Sequence, residues 1–315
     1  MEQIHNKNIF LLLDGNAIMH RAYHAMPPFT TKDGIATGAV YGFFSMLLKL
    51  MQNLKPKYIA VTFDRPKPTF RKLMYVGYQA QRPRMDDGLS SQFVMIHDLL
   101  DVIGIPIYEV DGFEADDVLG TIAEKVTHDE KDNRDTVFIV TGDRDIMQLV
   151  HSHVAVLAPY KGISEVMVMD EARVREKFGV APIQIIDLKA LQGDPSDNYP
   201  GVAGIGPKTA VNLIQEFGSV DEVYKQIDKV EAKNPKLAQK LIDGYTAAML
   251  AKTLATIKTD VPFVFEYKKS AIKHFTKKNF AEAFKIYEFE SLTKRLDEVF
   301  GKKSETKKQN QMRLL

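Results

Sequence analysis

The sequence predicts an α/β fold in which a mainly parallel central sheet is flanked by helices. Short β-rich runs alternate with amphipathic helical stripes over the first half of the chain, a pattern typical of βα units. Three of these runs are followed closely by aspartate. The 315 residues are 45% apolar and 26% charged, which fits a globular protein of about two domains and excludes disordered and collagen-like chains.

The predicted elements follow from the local spacing of apolar residues. Helical spacing from Val40 to Leu54 and from Phe93 to Ile103 predicts two helices that contribute to the core. After about residue 170 the strand signals fade and short helical patterns follow. The predicted strands are Ile9–Leu13, Tyr58–Phe63, Ile105–Tyr108, Thr136–Val140 and Val154–Leu157.

We expect three regions along the chain. Residues 1–180 form an α/β core, and its long basic connection at 66–90 is of the kind that is usually functional or mobile. Residues 181–300 form a helical subdomain, and the Lys-rich residues 301–315 form a disordered tail. The sequence is compatible both with a stand-alone protein and with a fragment of a longer one.

Composition limits the chemistry and the location of the protein. The absence of cysteine excludes disulfides, thiol catalysis and cysteine-bound zinc. The start lacks a signal-peptide pattern and no apolar run is long enough for a bilayer, so we expect a cytoplasmic protein without a membrane partner. The net charge is +1, but residues 261–315 carry 13 Lys and Arg against 7 Asp and Glu. Residues 1–260 are therefore net acidic, and the positions of their carboxylates become informative.

Nine acidic residues form the most informative pattern. Asp14 and Asp64 each follow a predicted strand, and Asp143 and Asp145 follow a third. A single Asp at such a position is more often a turn former or a helix N-cap. Three strand ends together favour a shared site, because the ligand crevice of an open α/β sheet lies at the carboxyl ends of its strands. The remaining acids are Glu114, Asp116 and Asp117, at the start of a predicted helix 114–126, and Asp194 and Asp197, in a loop.

Convergence of these carboxylates would require cations. Helix-dipole compensation accounts for one or two acids at a helix start and less well for three. Like charges in one crevice raise each other's pKa values unless they are neutralised, and the motifs contain no obvious counter-charge. All-oxygen ligands favour Mg²⁺ or Mn²⁺, and two such ions about 4 Å apart are suited to phosphodiester hydrolysis. Calcium storage fits less well, because the acids come from distant segments instead of one EF-hand loop.

The glycine-rich segment 201–210 does not match a nucleotide-binding loop. Pro207 separates Gly206 from Lys208 where a phosphate loop has Lys directly after Gly, and an acidic loop precedes the segment instead of a strand. It favours two helices joined by a tight glycine turn, with the second helix beginning at Pro207. Such a turn can bind nucleic-acid phosphates, although a purely structural turn is the alternative. The residues assigned to the phosphate contact are Gly201, Gly204, Gly206, Lys208 and Thr209.

Six segments together resemble the 5′ nuclease domain of bacterial DNA polymerase I, which belongs to the flap endonuclease family. They are LLLDGNAIMHRAYHAMPP, TFDRPKPTFR, GFEADDVLGTIAEKV, TGDRDIMQLV, LQGDPSDNYPGVAGIGPKTA and LATIKTDVPF. The resemblance implies a PIN-like core, a helical arch at 66–90 and a helix-hairpin-helix motif at 198–217. It also implies a monomeric nuclease of replication and repair that hydrolyses DNA at 5′ ends and 5′ flaps, leaving a 5′-phosphate and a 3′-hydroxyl.

The resemblance further implies the roles of individual residues. All nine acids match the family's metal ligands, for two Mg²⁺ ions that Mn²⁺ can replace, and the hairpin would bind K⁺. Tyr78, Arg82 and Arg21 match the arch tyrosine, the arch arginine and the arginine after the first metal-binding Asp. Phe70, Tyr75 and Tyr78 would stack on bases, although packing is the alternative. The residues expected to follow phosphates are Lys67, Arg71, Lys72, Arg82 and Arg84.

One position departs from the family pattern. The residue after Tyr78 is Gln79, where the family usually has a catalytic lysine. Glutamine donates a hydrogen bond but carries no charge, so we expect an active nuclease with weaker transition-state stabilisation, which Lys72 or Arg84 could compensate. Two other hypotheses stay open: a flap-binding module that cuts poorly, and a PIN-type ribonuclease, against which the hairpin and the arch argue.

Overall fold

The structure is a computed structural model that describes residues 8–128, 135–162 and 165–301. Apart from Gly301, the predicted tail 301–315 lies outside these residues. Within the described ranges, no helix combines the length and the apolar character that a bilayer crossing requires.

A six-stranded sheet forms the centre of the molecule and confirms the predicted fold class. Its strands are β1 Ile9–Asp14, β2 Tyr58–Thr62, β3 Ile107–Tyr108, β4 Thr136–Val140, β5 Val154–Lys161 and β6 Glu165–Met169. The strand order is β3-β2-β1-β4-β5-β6. Every pairing is parallel except that of β5 with β6.

Two strands differ from the prediction. The strand β6 was not predicted from the sequence. It follows β5 after a short connection, and because a short connection can join only antiparallel strands, β6 pairs with β5 in the antiparallel direction. The predicted strand 105–108 is shortened to β3, since Pro106 has no N–H to donate to a sheet. Neither difference affects the strands that carry the acids.

The central strands are buried on both faces, which explains their continuous apolar runs. In β1, Phe10 and Leu12 belong to one buried cluster, and Leu11 and Leu13 belong to the other. The helices of the α/β part are α1 Gly15–Ala25, α2 Gly38–Leu54, α3 Phe70–Met74, α4 Asp87–Ile103, α5 Ala115–Thr127 and α6 Glu171–Phe178. Helices α1, α2 and α4 contribute to the second cluster and α5 to the first.

The remaining helices divide into two groups. They are α7 Ile185–Gln192, α8 Pro207–Phe217, α9 Val220–Lys225, α10 Ile227–Lys233, α11 Pro235–Asp243, α12 Tyr245–Ala255, α13 Lys277–Ile286 and α14 Glu290–Phe300. Helices α13 and α14 pack on α2 and α4, with the Phe44 and Phe284 ring centroids 5.2 Å apart. The predicted unit 181–300 is therefore not one separate helical body, because the apolar faces of its last two helices are buried against the α/β core.

Candidate metal centre and nucleic-acid interface

Three adjacent strands bring their acids to one edge of the sheet. Asp14 ends β1 and pairs in register with Thr62, so Asp64 lies two residues beyond the end of β2. On the other side of β1, Leu13 pairs with Val140, so Asp143 lies three residues beyond the end of β4. Because neighbouring strands are about 5 Å apart, these carboxylates come from neighbouring positions on one rim.

Asp14 is fixed in position and almost fully buried, with 3% of its surface exposed. One carboxylate oxygen accepts a hydrogen bond from the Ala17 N–H at 2.9 Å and caps α1, and the other accepts from Thr141 Oγ1 at 2.6 Å. Burial raises its pKa to about 7, and the nearby charges of Asp64 and Asp143 add to this effect. The hydrogen bonds therefore fix the carboxylate in an orientation in which it could bind a metal ion. Burial and the neighbouring acids make its negative charge unfavourable, and a bound cation would remove this unfavourable energy.

The start of α5 completes this group. Glu114 caps the helix, and the Ala115 N–H donates to Asp64 Oδ1 at 2.7 Å. Burial raises the pKa of Asp116 well above its ordinary value, and Asp143, Asp14, Asp64 and Glu114 raise it further, in decreasing order. We call this group the acidic hollow; its members are Asp14, Asp64, Glu114, Asp116 and Asp143.

Three of the four remaining acids form a second group, which we call the acidic triad. Carboxylate oxygens of Asp145, Asp194 and Asp197 lie within 4.8 Å of one another. Among the described residues, no other three Asp, Glu or His side chains bring possible ligand atoms so close together. The triad lines a cleft of about 600 Å³. Asp143 of the hollow and Pro207 at the start of α8 also line this cleft. The two acidic groups are thus neighbours, and Asp143 of the hollow lines the same cleft as the triad.

A lysine that was not predicted from the sequence contacts two acids of the triad. The Lys189 ammonium, from α7, lies 2.6 Å from Asp145 Oδ1 and also contacts Asp194 Oδ2. Burial opposes the charge of Lys189, but the two carboxylates raise its pKa overall. Lys189 lies outside the acidic motifs, so the counter-charge that those motifs lack comes from a neighbouring helix. The position of Lys189 just before the acidic loop in sequence was the only signal available, and the sign of its charge alone did not identify it as a partner of the triad.

Two predicted site residues instead form a structural ion pair. Both oxygens of Asp117 accept from Arg71, at 2.7 and 2.8 Å, and Asp117 also accepts from the Lys258 N–H. Asp117 is fully buried and Arg71 is 2% exposed. The charged atoms of Asp117 and Arg71 bind each other and are shielded from solvent in this structure, so the assignment of Asp117 to metal and of Arg71 to DNA phosphates stays a prediction.

Three arch residues bind Asp197 of the triad. Tyr78 OH donates to Asp197 Oδ2 at 3.0 Å, Arg82 donates to Oδ1 at 2.6 Å, and the Gln79 backbone N–H donates to the Asp197 carbonyl at 2.8 Å. The same Tyr78 hydroxyl also lies 3.1 Å from Glu114 Oε2 of the hollow, within hydrogen-bond distance. The base of the arch therefore connects the two acidic groups.

The aromatic side chains of the arch pack against protein, and Tyr78 is buried whereas Phe70 and Tyr75 are partly buried. Tyr78 is 3% exposed and stacks on Tyr199. The Phe70 and Phe113 ring centroids are 6.0 Å apart, and Tyr75 packs on the same small cluster as Tyr78. For Tyr78, Phe70 and Tyr75 the packing alternative describes the observed contacts, and their stacking on bases stays a prediction.

The other predicted cations have different surroundings. Lys67 forms an ion pair with Asp111 at 2.6 Å, and the Arg21 Nε–H donates to the Gly162 carbonyl at 2.8 Å. The Arg84 side chain is 92% exposed, and Lys72 is exposed as well. Lys72 and Arg84 therefore remain accessible for a phosphate contact.

The glycine turn joins helices that differ in part from the prediction. The second helix, α8, begins at Pro207 as predicted, but the first is α7, which ends at Gln192, so the range 198–217 contains only one helix. The intervening residues form the acidic loop, closed by a short strand pair in which a β-carbon on Gly201 would lie 2.3 Å from the Gly193 nitrogen. Gly204 has a φ of +75°, and Lys240 donates to its carbonyl at 3.3 Å.

At the start of α8, Gly206, Lys208 and Thr209 face outward to different degrees. Gly206 and Lys208 are exposed, Thr209 is partly buried, and no side chain caps the helix. The first N–H groups of a helix have no partner within it and carry a partial positive charge, so this end suits a phosphate. It lies on the same cleft as the triad.

The chemistry of the two acidic groups fits divalent metal. The donors are carboxylate oxygens on rigid strand and helix ends, which suit hard ions such as Mg²⁺ and Mn²⁺. Two ions beside each other are suited to orienting a phosphodiester and activating water. The structure therefore supports hydrolysis of a phosphodiester that enters along the cleft.

We expect the metal-free protein to become less stable as the pH rises from about 4 to about 7. Burial raises the pKa values of Asp14, Glu114 and Asp145 to about 7, so the folded chain keeps protons that the unfolded chain loses. For each proton that the folded chain binds in excess of the unfolded chain, the free energy of unfolding falls by about 1.4 kcal/mol per unit of rising pH. Urea unfolding in EDTA checks this, and Mg²⁺ should abolish the trend. Stability that rises with pH in EDTA would contradict it.

Comparisons with known proteins agree with this arrangement. Residues 9–179 match the family model of the 5′-3′ exonuclease N-terminal resolvase-like domain, and residues 180–278 match that of the 5′-3′ exonuclease C-terminal SAM fold. DNA polymerase I of Bacillus subtilis (strain 168) is 39% identical over 288 residues, which cover 91% of this chain and 32% of the polymerase. The chain therefore spans about a third of the length of that relative.

Other known proteins match over nearly their whole length. The 5′-3′ exonuclease of Aquifex aeolicus (strain VF5) is 35% identical over 294 residues, 93% of this chain and 97% of that protein. Zinc-bound T5 5′-exonuclease has the same fold, with a TM-score of 0.64 at 24% identity over 90% of this chain and 99% of that one. The Rad2 catalytic core in complex with DNA substrate has a TM-score of 0.57 at 17% identity over 95% and 94% of the two chains. Because both family models and a full-length relative match, the chain belongs to the 5′-3′ exonuclease family.

Proposed function

We propose that the protein is a structure-dependent 5′-3′ exonuclease and flap endonuclease that hydrolyses DNA and leaves a 5′-phosphate and a 3′-hydroxyl. The observation that carries this proposal is the pair of neighbouring acidic groups, one at the strand ends and the other on a cleft that Asp143 of the hollow also lines and that reaches the start of α8. Membership of the 5′-3′ exonuclease family supports it. We further propose that it acts as a cytoplasmic monomer.

The acidic hollow would hold one Mg²⁺ ion and the acidic triad the other, with Mn²⁺ as a possible replacement. When bound, the ions would supply a metal-activated water and stabilise the departing 3′-oxygen. The chain's own residues position this machinery: Tyr78 connects Glu114 to Asp197, and Thr141 orients Asp14. Arg82, whose side chain is 53% exposed, can turn part of its guanidinium toward a phosphate.

We assign DNA binding to two surfaces beside the cleft. The start of α8, with Gly206, Lys208 and Thr209, would bind the duplex backbone, helped by K⁺ at the glycine turn. The Lys240 ammonium already contacts the Gly204 carbonyl, so this turn has a cation of the protein beside it. Lys72 and Arg84 of the arch would follow the phosphates of the 5′ single strand, and Lys67 and Arg21 would join them after leaving their present partners.

The test is cleavage of a duplex that carries a 5′-labelled flap, with Mg²⁺ or with EDTA. We expect short labelled products with Mg²⁺ and none with EDTA. The same duplex without a flap and a matched RNA flap are the controls. Binding of the flap without any product in Mg²⁺ would leave a flap-binding module, and a preference for the RNA flap would favour a PIN-type ribonuclease.

Replacing Gln79 by lysine is expected to raise the turnover by about tenfold, because it adds a positive charge near the phosphate. The Gln79 backbone already contacts Asp197, so a lysine side chain would begin beside the triad. Single-turnover cleavage of the flap is the measurement. Gln79→Met is the matched control, since it has similar length without charge, and it should not be faster than the wild type. An unchanged rate for Gln79→Lys would mean that other arch cations already supply the charge.

A further inference from the structure

A buried glutamine lies between the turn that carries Asp145 and the end of α12. Gln148 is 7% exposed and belongs to the short 3₁₀ helix Asp145–Leu149. Its Nε2 donates to the Asp145 carbonyl at 3.0 Å and to the Ala255 carbonyl at 2.9 Å. Its Oε1 accepts from the Ile257 N–H at 2.9 Å. The amide therefore connects two segments that are distant in sequence.

The turn on one side of Gln148 carries one acid of each group. Asp143 belongs to the acidic hollow and Asp145 to the acidic triad. The Asp143 N–H donates to Thr141 Oγ1 at 3.0 Å, and the Asp145 N–H donates to Asp143 Oδ1 at 2.8 Å. With the bond from Gln148 to the Asp145 carbonyl, both backbone polar groups of Asp145 have partners. The relative position of the two acids thus depends on these hydrogen bonds.

The segment on the other side of Gln148 is held by the arch and by α5. Residues 254–258 comprise the end of α12 and the chain just after it. Arg71 of the arch donates to two carbonyls of this segment. The Lys258 N–H donates to Asp117 of α5 at 2.8 Å. Gln148 therefore ties the turn to a segment that is already fixed to the helix of the acidic hollow.

We propose that Gln148 is a positioning residue for metal binding, which holds the turn 143–145 where both acidic groups can bind their ions. The inference rests on the proposed function and adds to it a residue that acts through Asp145. Hydrogen bonds from behind a metal ligand keep the ligand oriented, and their loss typically lowers metal affinity about ten- to a hundredfold. Because the amide is neutral, it affects the geometry of the site and not its charge.

Calorimetric titration of Mg²⁺ into the metal-free protein tests this inference. Gln148→Met keeps the length of the side chain and removes the amide, so we expect Mg²⁺ to bind at least about tenfold more weakly. Gln92→Met is the matched control. Gln92 is 1% exposed, accepts from the Ala39 N–H at 2.8 Å and donates to the Gly88 carbonyl at 3.0 Å, and these residues belong to neither acidic group.

The control separates positioning from stability. Both variants leave buried backbone groups without partners, so both should melt about 5 °C lower than the wild type in EDTA. Gln92→Met should nevertheless bind Mg²⁺ like the wild type. Gln148→Asn keeps the amide but is one methylene too short to reach both segments, and it replaces Gln148→Met if that variant does not fold.

The Mg²⁺ dependence of flap cleavage is a second readout. Gln148→Met keeps every acid of both groups, so its turnover should approach that of the wild type at saturating Mg²⁺. The Mg²⁺ concentration that gives half the maximal rate should rise about tenfold. A lower turnover with an unchanged Mg²⁺ requirement would contradict a role in metal binding.

Three results of the titration would overturn the inference. They are wild-type Mg²⁺ affinity in Gln148→Met, an equal loss of affinity in Gln92→Met, and failure of both Gln148 variants to fold, which would make Gln148 a residue of general stability. The proposed function fails separately. A wild type that binds Mg²⁺ but does not cleave the flap removes the nuclease, whereas cleavage by the wild type together with unchanged affinity in Gln148→Met removes the inference alone.

Discussion

Arg71→Met is expected to lower the free energy of unfolding by about 3–5 kcal/mol, because it leaves Asp117 buried without its partner. Asp117 is fully buried and accepts two hydrogen bonds from the Arg71 guanidinium. Arg71 also donates to the carbonyls of Leu254 and Thr256, so it joins the arch to the end of α12. Its loss would loosen both elements.

Urea unfolding in EDTA measures this effect, and two variants provide the controls. Lys72→Met removes the neighbouring exposed cation and should change the stability by less than about 0.5 kcal/mol. The double variant Arg71→Met, Asp117→Leu should recover part of the loss, since no unpaired charge remains in the pair. A loss below about 1 kcal/mol for Arg71→Met would mean that water reaches Asp117 and that the pair is not structural.

Asp116→Asn is expected to reduce flap cleavage by at least about a thousandfold while making the metal-free protein more stable. Asp116 lies among four other carboxylates, and burial together with their charges raises its pKa well above the ordinary value. A neutral amide removes that repulsion, but it also removes a charge that a metal ion would need. The gain in stability and the loss of activity therefore have the same cause.

Three measurements check this prediction. Melting in EDTA should occur at a higher temperature than for the wild type, calorimetric titration should show weaker Mg²⁺ binding, and affinity for the flap should be unchanged or higher. Asp228→Asn, at an exposed acid outside both acidic groups, is the matched control and should leave all three unchanged. Full turnover by Asp116→Asn would contradict the assignment of the hollow to metal.

Local sequence patterns identified the strands and the acids at their ends. A run of apolar residues such as Ile9–Leu13 can only be buried on both faces, and an aspartate directly after it must lie at the rim of the sheet. The register of β1 with β2 and β4 then confirmed that Asp14, Asp64 and Asp143 share that rim. These features depend on residues that are close in sequence.

Only the tertiary structure decided which charges meet. Arg71 and Asp117 are 46 positions apart, and whether they bind each other or a ligand depends on the packing of the arch against α5. The ion pair of Lys189 with Asp145 likewise depends on packing between distant segments. The position of α13 and α14 does so too, because their apolar faces are buried against the α/β core and not beside the other late helices. Sequence alone determines the type and local spacing of these groups, because periodicity is a short-range property. The partner of a buried charge is set by long-range packing, since only the folded chain defines which opposite charge is within reach once water is excluded.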